Sequence, residues 1–297
     1  MYRNVNFESL GVTGRESELI ELALSNGFKG LDLDIAQFGE QVRAKGLPLA
    51  KRLLVSSRLR LASFRLTVQL DAGNDEFKAQ LAALPPELEI AREVKCERAL
   101  SIIEPANDVR PYHENFELHR RRIAELAGVL AGFGLKLALG FRAPLHLRQG
   151  HAFAFMQTFE ALSLLVKSIA AANVGVLLDL WQWHVGGGTI DHLRALGGAK
   201  IAYVGLADAE PGTTAESAQE ESARLPGETG VIDSAAVLTA LAEMKYDGPV
   251  TPWPHPSRAA GLGRDKIVKA ASAALDRAWQ AAGLNPAGKL AAAGRPS

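Results

Sequence analysis

The sequence lacks most of what would place it outside a reducing compartment, in a membrane or on a polyanion. Cysteine is almost absent. Cys96 is the single one in 297 residues, so an internal disulfide and a multi-cysteine zinc site are both excluded. A cytoplasmic location is the expectation. An excess of one charge is absent too, because 33 Lys and Arg balance 33 Asp and Glu. Generic nucleic-acid binding needs a basic excess to displace phosphate counterions, so no nucleic-acid partner is expected. Long apolar runs are missing. Val174–Leu178 is among the longest, against the roughly 20 residues that a spanning helix requires. The opening MYRNVNFESLG has no apolar signal core. Neither a membrane partner nor a secretory signal is expected. What remains is 47% hydrophobic and 22% charged, a globular mixture that excludes intrinsic disorder.

The pattern that organises the chain is an alternation of short apolar runs with longer amphipathic stretches. Strands are predicted at Asn4–Phe7, Gly30–Asp34, Leu59–Val68, Ala99–Ile103, Leu135–Phe141, Val174–Leu180, Ile201–Leu206 and Pro249–Thr251. Several, such as VGVLLDL and LKLALGF, have the composition of strands buried on both faces. Helical periodicity marks Glu16–Ser25, Leu118–Gly132, Phe159–Ala172, Ser234–Met244 and Arg264–Gly283. Asn26-Gly27 and Gly132-Phe133-Gly134 read as helix stops, and Asp233-Ser234 as a helix start. Strands that each precede a helix predict a parallel sheet. Eight such units in about this length predict a single-domain α/β fold, the (β/α)8 TIM barrel, over residues 1–284. A doubly wound open sheet is the alternative, weakened because no Gly-x-Gly-x-x-Gly follows the first strand. Residues 285–297, rich in Gly, Pro and Ala, are expected to form a flexible tail.

In such a barrel the chemistry projects from the C-terminal ends of the strands. The groups found there are Asp32 and Asp34, Arg65, Glu104, Arg142, Asp179 with Gln182 and His184, Asp208, and Trp253 with His255. Asp179 ends an apolar strand, so it is either paired with a cation such as Arg142 or kept for ligand chemistry. Glu104 is a candidate base or hydroxyl acceptor, or a plain strand end before Pro105. His184 and His255, imidazoles at strand ends, are candidates for acid–base work or for surface and structural bonding. Asp208 fits a turn or a substrate contact. Gly186–Thr189 fits an anion-holding helix start or a simple turn. The basic run Arg120–Arg122 reads as a solvated helix face, and Cys96 as a packed thiol.

Four segments in order carry a resemblance: VGVLLDLWQWHVGGG, IAYVGLADAEPG, RLPGETGVID and YDGPVTPWPHP. Together they resemble the xylose isomerase-like barrels, a family that includes sugar-phosphate isomerases and epimerases and endonuclease IV. The resemblance extends from GFKGLDLD to GPVTPWPHPSR. It implies an isomerase or epimerase fold acting on a carbohydrate-like small molecule. It also implies a divalent metal held by Glu, Asp, His and Glu on strands five to eight. Asp179 matches the Asp. The other positions fall on Gly140, Gly205 and Trp253, and a supporting His falls on Gln182. Glycine offers no ligand atom and indole only a donor, so no metal and no other cofactor is expected. Trp253 is expected to lean into the vacated centre as a plug or as a stacking wall. Without a metal, Arg142, Arg65 or Gln182 would stabilise an oxyanion, and Glu104, Asp179 or His255 would move the proton. Arg224, before LPGE, would receive a phosphate in the family's manner or stay a solvated loop residue. The expected functions are therefore a sugar isomerase or epimerase working without its usual metal, a non-catalytic sugar-binding barrel or, more weakly, a partner-binding scaffold. Family members often dimerise, which makes a homodimer a candidate assembly.

Overall fold

The computed structural model describes residues 1–291. Eight strand positions alternate with helices: β1 (Tyr2–Val5), β2 (Gly30–Leu31), β3 (Arg60–Leu61, resumed at Phe64–Arg65), β4 (Arg98–Ile103), β5 (Lys136–Phe141), β6 (Val174–Asp179), β7 (Ile201–Leu206) and β8 (Pro249–Pro252). All their pairings are parallel. Hydrogen-bonded neighbours run from the first piece of β3 through β2, β1, β8, β7, β6, β5 and β4 to the second piece of β3. The two ends of that order are consecutive pieces of one segment, so the ring closes through Ala62-Ser63. There the chain transfers its hydrogen bonds from one neighbour to the other. Ala62 N–H donates to Leu31 O at 2.9 Å, and Leu66 N–H donates to Leu100 O at 2.9 Å. The strand predicted as unbroken over Leu59–Val68 is thus split where it changes partners.

Two layers of packing hold the barrel. Inside it, Tyr2, Ala62, Leu100, Ala138, Leu177, Ala202 and Tyr203 form a small core of mostly modest side chains. Outside it, the apolar stripes of the helices pack on the strands in one large cluster. Glu16–Ser25 is helical as its periodicity predicts, and Gly27 takes a left-handed φ of 72° just past its end. Asp233 caps the helix Ser234–Glu243 by accepting from Ala236 N at 2.9 Å. The helix predicted from Leu118 begins earlier, at Tyr112, and ends at Gly132.

The basic run at 120–122 is not uniformly solvated. Arg122 is buried, donates to Leu70 O at 2.8 Å and Ala72 O at 2.7 Å, and lies 4.6 Å from the Phe77 ring centroid. It ties the long helix to the loop after β3. Cys96 is a buried free thiol, pushed up to about 12 by burial. Of the terminal segment expected to be flexible, residues 285–291 fold back: Ala291 N–H donates to Gly283 O at 3.0 Å, and Leu290 bridges Leu284. The rest of that segment lies outside the described residues. Among the described residues, no helix is long and apolar enough to cross a membrane.

Candidate active site

The C-terminal ends of the strands open into a cavity of about 880 Å³. Its floor is a polar network inside the barrel. Asn4 Nδ2 donates to Asp32 Oδ1 at 3.0 Å and to Thr251 Oγ1 at 3.0 Å. Asn6 Nδ2 donates to Asp32 Oδ2 at 2.8 Å, and the Tyr203 hydroxyl donates to the same oxygen at 2.5 Å. Burial raises the Asp32 carboxyl above its ordinary range despite these hydrogen bonds.

The wall above this floor is where β5, β6 and the loop after β7 meet. Asp179 closes β6 and caps the short helix Leu180–Val185, its Oδ1 accepting from Trp181 N at 2.9 Å and Gln182 N at 3.2 Å. Burial pushes its carboxyl up to about 7, against the pull of those two amides. Gln182, buried on the first turn of that helix, accepts from Ala143 N at 2.7 Å and donates to Glu220 Oε1 at 2.7 Å. Arg142 follows β5 and grips the same carboxylate with its fork. Nε donates to Glu220 Oε1 at 3.0 Å and Nη2 to Oε2. Its Nη1 faces Glu104, 3.7 Å away, which is an ion-pair distance and not a hydrogen bond. Burial opposes ionisation of Glu220, but the Arg142 fork and the Gln182 amide outweigh it and hold the carboxyl below its usual range.

Trp253 follows β8 and leans inward. Its indole packs against Gly205 and meets the Tyr203 ring edge-on at 5.5 Å between centroids. His255 lines the cavity beside it, its Nδ1 accepting from Ser257 N at 3.3 Å and lying 2.9 Å from Ser257 Oγ. Arg65 reaches the rim and pairs with Glu8 at 3.2 Å, both exposed.

The cavity therefore brings together Arg65, Glu104, Arg142, Asp179, Gln182, Trp253 and His255, and leaves out three other residues named from the sequence. Asp208 is fully buried, accepting from the backbone of Ala209, Thr229, Gly230 and Ile232 at 2.7–2.9 Å. It clamps the loop after β7 and has the turn role. Arg224 lies in that loop between Glu210 and Glu228. His184 turns away from the cavity, and burial lowers its ring despite the charge of Asp208. Gly186–Gly188 also lies off the cavity, before the seven-residue helix Ile190–Leu196. Sequence reasoning missed Glu220. It sits in an aperiodic loop, 78 positions from Arg142, with no local signal.

The positions at which the family's metal ligands are implied do not form a cage. A Cβ on Gly140 would stand 2.6 Å from Ile102 Cδ1, and one on Gly205 would stand 3.0 Å from Trp253 Cβ. Asp179 already spends one oxygen on its helix. Among the described residues, no three His, Cys, Asp or Glu side chains are grouped to hold a metal ion.

Comparison with known proteins agrees with this architecture. A model of the xylose isomerase-like TIM barrel matches residues 20–278. Inosose isomerase of Bacillus subtilis (strain 168) is 30% identical over 129 residues, which span 43% of this chain and 43% of that protein. A xylose isomerase domain protein from Alicyclobacillus acidocaldarius subsp. acidocaldarius superposes with a TM-score of 0.84 at 22% identity, covering 95% of this chain and 99% of that one. The IOLI protein, solved with a bound zinc atom, superposes with a TM-score of 0.79 at 17% identity, covering 95% and 98%.

Proposed function

The chain belongs to the xylose isomerase-like TIM barrel family, and from that premise we propose that it isomerises or epimerises a small carbohydrate-like metabolite, with Arg142 supplying the positive charge at the cavity wall. The observation that carries this reading is the split use of the Arg142 guanidinium. Its Nε and Nη2 are fixed on Glu220, while Nη1 has no hydrogen bond at the cavity wall. A cation held this way needs no reorganisation to meet charge developing on a substrate oxygen. Gly140 and Gly205 offer no ligand atom and the Trp253 indole only a donor, so these positions do not suit a metal.

The chemistry proposed is proton transfer next to a carbonyl. Asp179, with its carboxyl near 7, takes the proton from the carbon beside the substrate carbonyl. The resulting enediolate oxygen faces Arg142 Nη1. Return of the proton to the former carbonyl carbon, as the hydroxyl proton of the enediolate passes to its other oxygen, gives isomerisation, and delivery to the original carbon from the opposite face by Glu104 or His255, with Asp179 releasing its proton to solvent, gives epimerisation. Trp253 supplies a flat wall for the ring of the ligand. Incubation with ketoses and cyclic ketones in D2O, read by NMR, tests this. Exchange at the carbon beside the carbonyl is expected, and its absence across such a panel defeats the reading.

A second reading is a barrel that binds the sugar and does not turn it over. The engagement of both Arg142 and Gln182 with Glu220 favours it. Saturable sugar binding by calorimetry with no isotope exchange would select it. A cytoplasmic location belongs to the same proposal and is checked by cell fractionation.

A further inference from the structure

We infer that the ligand of this cavity is an uncharged polyhydroxy compound, and that phosphorylated and carboxylated sugars are refused. This rests on the sugar-binding reading of the cavity and adds the charge of what enters it. Eight Asp and Glu side chains line the cavity against two guanidinium groups, although burial raises the carboxyls of Glu16, Asp32, Glu87 and Asp179 above their usual range. Each guanidinium already has a carboxylate partner, and Arg142 Nη1, which is without a hydrogen bond, faces Glu104. Arg65 is paired at the rim with Glu8, and the fork of Arg142 is closed by Glu220 with Glu104 beside its remaining nitrogen. Arg224, the residue placed by sequence to receive a phosphate, is held between two glutamates off the cavity.

A phosphate ester entering this mouth would bring close to two negative charges where both cations are already matched. Capturing Arg142 would mean displacing Glu220. That exchange swaps one anion for another and leaves a half-buried carboxylate without its partner. Hydroxyl groups meet the opposite situation. Each is a donor, an ionised carboxylate offers acceptor positions on both oxygens, and the Trp253 ring covers the C–H face of a sugar. The lining thus rewards many hydroxyl donors and penalises net negative charge.

The test is calorimetric binding to the full chain with matched pairs, a free ketohexose or cyclitol against its monophosphate, and with inorganic phosphate alone as an anion probe. The neutral member is expected to bind at least about tenfold more tightly than its ester, and phosphate alone to give no saturable signal. Glu220→Gln, which releases the Arg142 fork, is expected to narrow that gap. Glu104→Gln, which removes a carboxylate and leaves the Arg142–Glu220 pair intact, is the control, and it should narrow the gap less. Tighter binding of the ester than of the free sugar, or saturable phosphate binding by the unaltered protein, overturns the inference. If no sugar of either charge binds while phosphate is still refused, the sugar reading fails and the charge exclusion stands.

Discussion

Arg142 and Glu220 meet across the mouth of the barrel, with Nε 3.0 Å from Oε1 and the second fork nitrogen on Oε2. One belongs to the rigid end of β5 and the other to the long loop after β7. The pair therefore does two jobs: it fixes the direction of the guanidinium and anchors the loop over the cavity. Both side chains are half-buried, at 31% and 25% exposure, so the contact is less screened than a fully exposed ion pair.

Glu220→Ala is expected to destabilise the protein by about 1–3 kcal/mol, because it strands the guanidinium and removes the acceptor of Gln182. Thermal denaturation should fall by several degrees. Hydrogen exchange should rise in residues 210–223 before it rises in the strands. Unchanged exchange in that loop would contradict the anchoring role.

A side chain at Gly205 would crowd Trp253, which lies against it. A Cβ there would meet Trp253 Cβ at 3.0 Å and Cγ at 3.1 Å. Gly205→Ala is expected to cost about 1–3 kcal/mol through overpacking. In Trp253→Gly the same change should cost much less, so the double-mutant cycle is non-additive. Additive losses, measured by chemical denaturation, would show that the two positions do not compete for space.

Asp179 sets a pH dependence whose sign is fixed. Its carboxyl is raised from 3.8 to about 7 in the folded state, so the folded chain holds that proton more tightly than the unfolded one. The stability it contributes is complete below the unfolded value and is lost as pH rises through about 7. Asp179→Asn keeps a side chain able to cap the helix and removes the titration. The stability of the unaltered protein relative to this variant should fall between pH 4 and 7 and level off above, measured by thermal denaturation across that range. A difference that grows with pH would contradict the assignment.

Asp208 serves the loop by a different route. Its burial works against ionisation, but four backbone N–H groups outweigh that and hold its carboxyl low. Asp208→Asn places an amide donor against those N–H groups and is expected to cost about 3 kcal/mol. Limited proteolysis should then cut within residues 210–232 first. Protection equal to that of the unaltered chain would refute the clamp.

The strands were legible because both-face burial writes itself as continuous apolar runs, as in Val174–Asp179 and Ile201–Leu206, while the family was legible only through the resemblance of four segments taken in order. Helix ends were legible where a local residue type decides them, as at Gly27 and Asp233. The split of β3 was not, because the exchange of partners at Ala62-Ser63 depends on closure of the whole ring. The inward lean of Trp253 is an expectation of the resemblance, but its contact with Gly205 was not legible. Nor was the destination of Glu220, since an aperiodic loop leaves no trace of where it lands. For the same reason Asp208 and Arg224, polar residues at a strand end and in a loop, looked like site residues until their own partners were seen.

Arg142, and not a divalent cation, is proposed to carry the positive charge of this cavity. Isotope exchange into a bound ketose in D2O, measured before and after exhaustive chelation and in Arg142→Gln, tests it most directly. Exchange is predicted to survive chelation and to fall about 100-fold or more in Arg142→Gln, the scale of losing one preorganised oxyanion donor. Exchange abolished by chelation and restored by one equivalent of manganese or zinc would contradict it.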